Sequence, residues 1–179
     1  MAHYWQGKQV RLRAVEPSDA SVYHEWAEDT ECNRNVDRLS FPESLASFTA
    51  WAAAAATAKS ASDDFHFVIE NNERDLVGFI FVSNCNARNG TFLVGYAIRA
   101  KHRRKGYASD ALQIVLRYYF HELRYQKAWA TVYSFNKPSI ALLEQARFVR
   151  EGVMRRMYFS EGTYHDTIYF GITREEFEG

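Results

Sequence analysis

Residues 91–123 constrain the fold of this chain more than any other stretch. An apolar, aromatic-rich segment, TFLVGYAI, is followed by a cationic turn, RRKGYA, and then by SDALQIVLRYYFHEL. The last segment carries apolar residues at the i, i+3, i+4, i+7, i+8 and i+11 spacing of an amphipathic helix, namely Leu112, Val115, Leu116, Tyr119, Phe120 and Leu123. The sequence therefore predicts a strand, a tight glycine turn and a helix in direct succession.

The rest of the chain alternates strand and helix patterns, and no internal repeat is visible. Strands are predicted at residues 9–15, 65–70, 76–83, 90–98 and 127–134, and a late hairpin at 148–159 and 163–172. Helices are predicted after Pro17, after Pro42, after Ala108 and from Asn136 to Ala146, with a polar, acidic loop between the first two. This order predicts a single mixed α/β layer structure.

Length and charge narrow the class of protein further. The 179 residues suit one domain, 1–179, with a sizeable core. The 22 basic and 22 acidic side chains cancel, which argues against a surface built for nucleic acid. The two cysteines, Cys32 and Cys85, lack the spacing of a metal site and the number for a disulfide framework. With no signal core and no membrane-length apolar run, we expect a soluble cytoplasmic protein without a metal.

The glycine turn has two interpretations. Backbone N–H groups at a helix N-terminus favour an anion, Gly106 lets a bulky ligand approach the backbone, and Arg103, Arg104 and Lys105 add mobile cations. The simpler alternative is a basic, solvated turn. Residues 103–108 taken alone favour this alternative over an anion site. The motifs of a P-loop and of a dinucleotide-binding turn are both missing from this sequence.

The wider context resembles a known family. Arg103-x-x-Gly106-x-Ala108 at a strand-to-helix junction resembles the acetyl-CoA-binding signature of the GNAT N-acetyltransferases. The opening VRLRAVEPSDA and the later NKPSIALLEQARFVREGVMRR are similar to the RimJ/RimL-type branch. The resemblance implies a central mixed, mostly antiparallel sheet flanked by helices. It also implies transfer of an acetyl group from acetyl-CoA, as co-substrate, to a primary amine in a ternary complex.

The resemblance also implies which residues form the site. The strand end lies along the pantetheine arm and its splay supplies an N–H to the thioester oxygen, the loop amides hold the pyrophosphate, and an Asn contacts the coenzyme arm. The residues so implied are Tyr96, Ala97, Ile98, Arg103, Arg104, Lys105, Gly106, Tyr107, Ala108 and Asn136. Ser139 occupies the serine of the family's Asn-x-x-Ser pattern, and it is the best remaining proton donor to the departing thiolate because Leu143 stands at the family's tyrosine position. Asn136 and Ser139 also have a structural interpretation, because Asn136 is a good N-cap for the helix predicted up to Ala146 and Ser139 falls in the first turn of that helix.

The sequence departs from the family pattern in three places. Leu143 stands where many relatives have a tyrosine general acid, and Leu93 and Val94 leave no carboxylate before Gly-Tyr. Arg147 and Phe148 replace the usual Gly-Phe, so a different turn is expected there. Without an evident base, an α-amino group of pKa about 7.8 is easier to deprotonate than a lysine or polyamine of pKa about 10.4, by roughly 3.5 kcal/mol at pH 7.

The acceptor and its base therefore remain open. A peptide N-terminus or another small amine is consistent with the lack of an evident base. The acidic cluster of Glu25, Glu28, Asp29 and Glu31 would attract a polyamine, or is simply the solvated end of a helix. His24 and His66 are candidate bases or packed histidines. Two other functions are a catalytically weak acyl-CoA-binding module and a nucleic-acid binder, the latter disfavoured by net neutrality. The aromatic content suggests a possible homodimer.

Overall fold

The computed structural model describes residues 3–58 and 62–179, and within them seven strands form one sheet in the order β1-β2-β3-β4-β5-β7-β6. The strands are β1 (Val10–Arg13), β2 (Phe65–Asn71), β3 (Leu76–Asn86), β4 (Thr91–Ile98), β5 (Lys127–Tyr133), β6 (Val149–Ser160) and β7 (Thr163–Thr173). The α-helices are α1 (Ala20–Ala27), α2 (Thr30–Val36), α3 (Leu45–Thr57), α4 (Tyr107–His121), α5 (Lys137–Gln145) and α6 (Arg174–Glu178). Short 3₁₀ turns lie at Pro17–Asp19 and Ala100–His102.

The sheet is mixed and mostly antiparallel, which confirms the fold class. β1 pairs antiparallel with β2, from Val10↔Asn71 to Arg13↔Val68. β7 pairs antiparallel with both β5 and β6, whereas β4 and β5 run parallel. A parallel pair needs a crossover connection, and α4 provides it.

The chain divides into two compact units, Met1–Phe81 with Tyr96–Ile114 and Val82–Gly95 with Val115–Gly179, here called the first and the second unit. The core of the first unit joins α1 and α3 to the strands. Tyr23 and Trp26 lie at helical spacing on α1, and both are buried together with Ala52 of α3 and Val68 of β2. The alanine-rich helix α3 thus buries a small residue, Ala52, in the core that α1 and the strands of the first unit share.

The second unit has an aromatic core. Phe92 of β4 stacks on Tyr119 of α4 with ring centroids 4.6 Å apart, and Tyr125 meets the edge of Phe92 at 5.5 Å. Phe170 and Ile172 of β7 are fully buried in the same unit. The period-2 pattern of the strand and the helical period of α4 therefore bury the faces that the sequence indicated.

Three local predictions differ from the structure. The acidic loop after α1 contains α2, whose first turn is capped by the Asp29 carboxylate accepting from the Cys32 amide at 2.9 Å. α3 begins at Leu45 rather than near Pro42, because Ser44 is its N-cap and accepts from the Ser47 amide. The C-terminal α6 was not predicted, and the prediction of one domain over 1–179 stays a prediction.

Within the described part of the chain, each helix is too short or too polar to cross a bilayer.

Candidate functional site

The glycine turn joins β4 to α4 in the first unit. Gly106 has φ +84° and Arg104 has φ +63°, so two left-handed residues turn the chain just before the helix begins at Tyr107. The Gly106 carbonyl accepts from the Asp110 amide at 3.0 Å, which starts the helical hydrogen-bond series. The amides ahead of that bond have no acceptor within the helix and present partial positive charge to a ligand.

Gly106 cannot be replaced without strain. Its backbone conformation is one that residues with a Cβ rarely adopt. A Cβ built there would lie 3.0 Å from Nε2 of Gln9. Arg104, Lys105 and Gly106 are exposed, whereas Ala108 is buried and Tyr107 half-buried. The loop thus offers exposed backbone ahead of a helix whose second residue, Ala108, is small and buried, an arrangement that fits a diphosphate.

A carboxylate that the sequence reading missed holds this helix start in place. Asp110 accepts from three consecutive backbone amides that lead into β1 and include its first residue: Lys8 at 3.2 Å, Gln9 at 2.7 Å and Val10 at 3.1 Å. A Cβ on Gly7 would lie 2.5 Å from the same carboxylate. An acidic residue in the first helical turn, where the helix dipole favours it, was the available signal. Its partners lie about a hundred residues away and carry no local pattern.

The sequence predicted that the side chain of Arg103 is a mobile cation, but the structure holds it in place. Its Nε donates to the Ile98 carbonyl at 3.2 Å, and its two terminal nitrogens lie 3.4 Å from Asp29 and 3.3 Å from Glu31. The guanidinium therefore ties the glycine turn to the start of α2. Any contact of Arg103 with the coenzyme would then come through its backbone.

Two arginines offset half of the negative charge of the acidic cluster. Glu25 forms an ion pair with Arg99 at 3.1 Å, and Asp29 and Glu31 are paired with Arg103. Asp29 also caps α2. These carboxylates hold the first unit together, which weakens the idea that the cluster exists to attract a polycation.

The parallel ladder of β4 and β5 stops early. It runs from Thr91↔Lys127 to Leu93↔Trp129, whereas β5 continues to Tyr133 and β4 to Ile98. The structure thus ends this pairing at Leu93, ahead of the Gly95-Tyr96 pair after which a splay was expected. Ala97 is buried, and Tyr96 and Ile98 are half-buried.

Asn136 and Ser139 lie in the second unit. The Asn136 side-chain oxygen accepts from the Ser139 amide at 3.2 Å, so Asn136 caps α5 as its sequence position indicated. Leu143 is fully buried, consistent with a packing role. The glycine turn lies in the first unit.

The expected change of turn after α5 is wrong. Arg147 has φ +70° and donates its amide to the Glu144 carbonyl at 3.0 Å, and the Phe148 amide bonds the Leu143 carbonyl at 2.9 Å. These two bonds are the Schellman ending that glycine usually makes. Arg147 therefore takes the left-handed conformation itself.

His66 is packed among aromatic rings rather than poised as a base. Its Nε2 lies 3.1 Å from the Tyr23 hydroxyl, and the rings of Trp51 and Phe79 lie 5.8 Å and 5.0 Å from it. Burial lowers the pKa of His66 to about 4, so the ring is neutral near pH 7 but weakly basic. His24 packs its ring edge against Phe48 at 5.7 Å. Both geometries favour the packed interpretation.

No group of three or more His, Cys, Asp or Glu residues in 3–58 and 62–179 is arranged to hold a metal ion.

Comparison with known proteins identifies the family. Residues 9–149 match the acetyltransferase (GNAT) domain. The chain is 41% identical over 175 residues to the SPbeta prophage-derived uncharacterized N-acetyltransferase YokL of Bacillus subtilis (strain 168), covering 98% of this chain and 96% of that protein. It is 27% identical to the spermidine N(1)-acetyltransferase of Vibrio cholerae, covering 88% and 89%.

Solved structures agree with this assignment at the level of the fold. The spermidine N-acetyltransferase of Vibrio cholerae, in complex with CoA and spermine, superimposes with a TM-score of 0.83 at 22% identity, covering 96% of this chain and 99% of that one. The glycine turn at the start of α4 lies inside the matched domain. The chain therefore belongs to the GNAT family and is an N-acetyltransferase.

Proposed function

We propose that the backbone amides around Gly106 bind the diphosphate of acetyl-CoA, and that this enzyme acetylates an α-amino group. The observation that carries the first part is the pair of left-handed residues, Arg104 and Gly106, directly before α4. They turn the chain directly ahead of the first amides of the helix, and the exposed Arg104 and Lys105 add positive charge. Tyr107 and Ala108 then begin the helix.

When bound, acetyl-CoA supplies an activated thioester carbonyl. The acceptor nitrogen attacks the carbonyl carbon, a C–N bond forms, and the oxygen becomes an oxyanion. We assign the oxyanion N–H donor to the backbone beyond Leu93, where the β4–β5 ladder ends. Tyr96, Ala97 and Ile98 would then lie along the pantetheine arm, in keeping with the resemblance.

The C–S bond then breaks, and the leaving sulfur takes a proton. We assign this proton to the Ser139 hydroxyl, directly or through water, because Leu143 cannot supply one. Asn136, whose side-chain oxygen caps α5, would contact the coenzyme arm, in keeping with the resemblance. The attacking nitrogen loses its proton to solvent, since both candidate histidines are packed.

An α-amino acceptor fits the electrostatics better than a polyamine. Arg99 and Arg103 pair with three of the four carboxylates of the acidic cluster and offset two of its four negative charges, which reduces its attraction for a polycation. With no strong base, the neutral α-amino group is available at a cost of about 1 kcal/mol at pH 7. We therefore favour a peptide N-terminus or a similar small amine, which also suits a RimJ/RimL-like enzyme. A polyamine remains the alternative because a spermidine acetyltransferase is among the relatives.

Thiol release with a panel of amines tests this function. We expect kcat/KM for a peptide with a free N-terminus to exceed that for spermidine and for an Nα-blocked lysine peptide at pH 7. We expect the gap to narrow at pH 9, where the two long-chain amines lose more of their protons. Coenzyme binding without thiol release for any amine would indicate a weak acyl-CoA-binding module instead. Stabilisation by RNA and not by the coenzyme would indicate a nucleic-acid binder.

We propose that the protein forms a homodimer through β6. The compartment that we propose for it is the cytoplasm. β6 is an edge strand of the sheet and exposes a row of apolar side chains, Val149, Val153, Met154, Met157 and Phe159. Long apolar edge strands are usually covered, because they template further pairing. Sedimentation of the wild type and of Met157→Lys tests the proposal: a dimer that survives the substitution would place the interface elsewhere.

A further inference from the structure

A polar pocket of about 400 Å³ lies in the first unit. Its walls come from the end of β1, the 3₁₀ turn before α1, the start of β3 and the 3₁₀ turn after β4. The charged lining consists of Arg13, Asp19, Arg74, Asp75, Arg99 and Lys101, so cations outnumber carboxylates. The glycine turn faces different neighbours, Gln9 and Asp110.

Three of these cations already have partners. Arg13 holds Asp19 with two hydrogen bonds of 2.8 Å, and Arg74 lies 3.3 Å from Glu70. Arg99 pairs with Glu25 and also donates to the Leu76 carbonyl at 3.3 Å. These pairs fix the walls and leave Lys101 as the cation of the lining for which no ion pair is seen among the described residues.

His102 is the unusual member of the lining. The residue is 9% exposed, and neither ring nitrogen has a hydrogen-bond partner among the described residues. A buried polar group without a partner costs about 1–3 kcal/mol, so such groups are rare unless a ligand completes them. Its own amide donates to the Arg99 carbonyl at 2.8 Å, which fixes the residue against that wall.

The chemistry of the missing partner follows from the neighbours. Burial lowers the pKa of His102, and the nearby cations Lys101, Lys105 and Arg99 lower it further, whereas Asp75 raises it. A neutral imidazole still carries one N–H donor, and Lys101 adds a charged donor at the adjacent position. An imidazole N–H beside the ammonium of Lys101 calls for a ligand that accepts hydrogen bonds and carries negative charge.

We propose that this pocket binds a small oxyanion, held by His102 and Lys101, at a site separate from the coenzyme. The oxyanion accepts the imidazole N–H and pairs with the Lys101 ammonium. Because the 3₁₀ turn Ala100–His102 leads directly into the glycine turn, an occupied pocket would steady the backbone on which the proposed diphosphate site depends.

Inorganic phosphate is the probe for the test. The full chain, saturated with acetyl-CoA and labelled with ¹⁵N-histidine, is titrated with phosphate while potassium chloride keeps the ionic strength constant. We expect the ring signals of His102 to shift saturably and those of His24 and His66 to stay in place. Lys101→Ala should weaken phosphate binding about fivefold. Arg88→Ala, which removes an exposed cation from the β3–β4 turn, is the matched control and should leave binding unchanged.

Three results would overturn the proposal. They are unmoved His102 signals, equal losses in the two variants, and phosphate binding that competes with acetyl-CoA. His102→Gln supplies a second check, because an amide donor should retain part of the affinity. Coenzyme affinity is measured on the same samples without phosphate. A failure of the pocket is thereby distinguished from a failure of the proposed diphosphate site.

Discussion

Replacing Gly106 by Glu or by Gln separates the two ways in which a side chain can harm the diphosphate site. Both variants force a residue with a Cβ to φ +84° and place that Cβ 3.0 Å from the side-chain Nε2 of Gln9. The left-handed conformation costs about 1–2 kcal/mol, which lowers the melting temperature by about 3–6 °C in a domain of this size. The flexible end of Gln9 can move, so we expect both variants to fold.

Only the Glu variant adds negative charge. At about 5 Å in water-like surroundings, each pair of unit charges costs about 0.8 kcal/mol. A diphosphate carrying two charges therefore loses about 1.7 kcal/mol more in Gly106→Glu than in Gly106→Gln, or about fifteenfold in Kd. The difference should shrink at high salt, since Gly106 is exposed.

Isothermal titration with acetyl-CoA at low and high salt measures this difference. The matched control is the same pair of substitutions at Gly162, which has φ +76° in the β6–β7 turn and nothing within 4 Å of a built Cβ. Those variants should lose stability without a change in coenzyme affinity. Equal Kd values for Gly106→Glu and Gly106→Gln would refute the placement of the diphosphate.

Three further predictions concern other residues. Ser139→Ala should slow thiol release about tenfold or more and leave the Kd for the coenzyme unchanged. An unaffected rate would mean that Ser139 has only a structural role in the first turn of α5. Asp110→Asn should lower the free energy of unfolding in urea by about 1–3 kcal/mol, because three amides lose a charged acceptor; Ser109→Ala, on the exposed side of the same turn, should not. His66 has a pKa lowered to about 4, so the unfolded chain binds the proton more tightly, and stability should fall by about 3 kcal/mol as pH drops from 6.5 to 4. A His66→Gln variant with the same pH slope would contradict that assignment.

The parts of the fold that the sequence predicted are those with strong periodicity or local chemistry. The apolar series from Leu112 onward placed α4, and Asn136 before Pro138 placed the start of α5. By contrast, α2 has the sequence TECNRNV, whose polar residues give no amphipathic stripe, and the helix is defined by its cap at Asp29. Short polar helices of this kind depend on tertiary contacts that a local pattern does not contain.

The same division applies to the candidate site. The left-handed conformation of Gly106 followed from the residue type, and the cap at Asn136 followed from its position. The contacts of Asp110 and Arg103 join segments about a hundred and about seventy residues apart, so only the folded chain shows them. For the same reason the sequence alone could not show how much of the charge of the acidic cluster is already paired within the chain. A carboxylate is available to a substrate only when no arginine of the chain already holds it.

A crystal structure with bound acetyl-CoA tests the central claim most directly. The account predicts diphosphate oxygens within hydrogen-bond distance of the backbone amides of residues 105–108, with the Arg103 guanidinium still on Asp29 and Glu31. A diphosphate bound elsewhere, with these amides facing water, would contradict it.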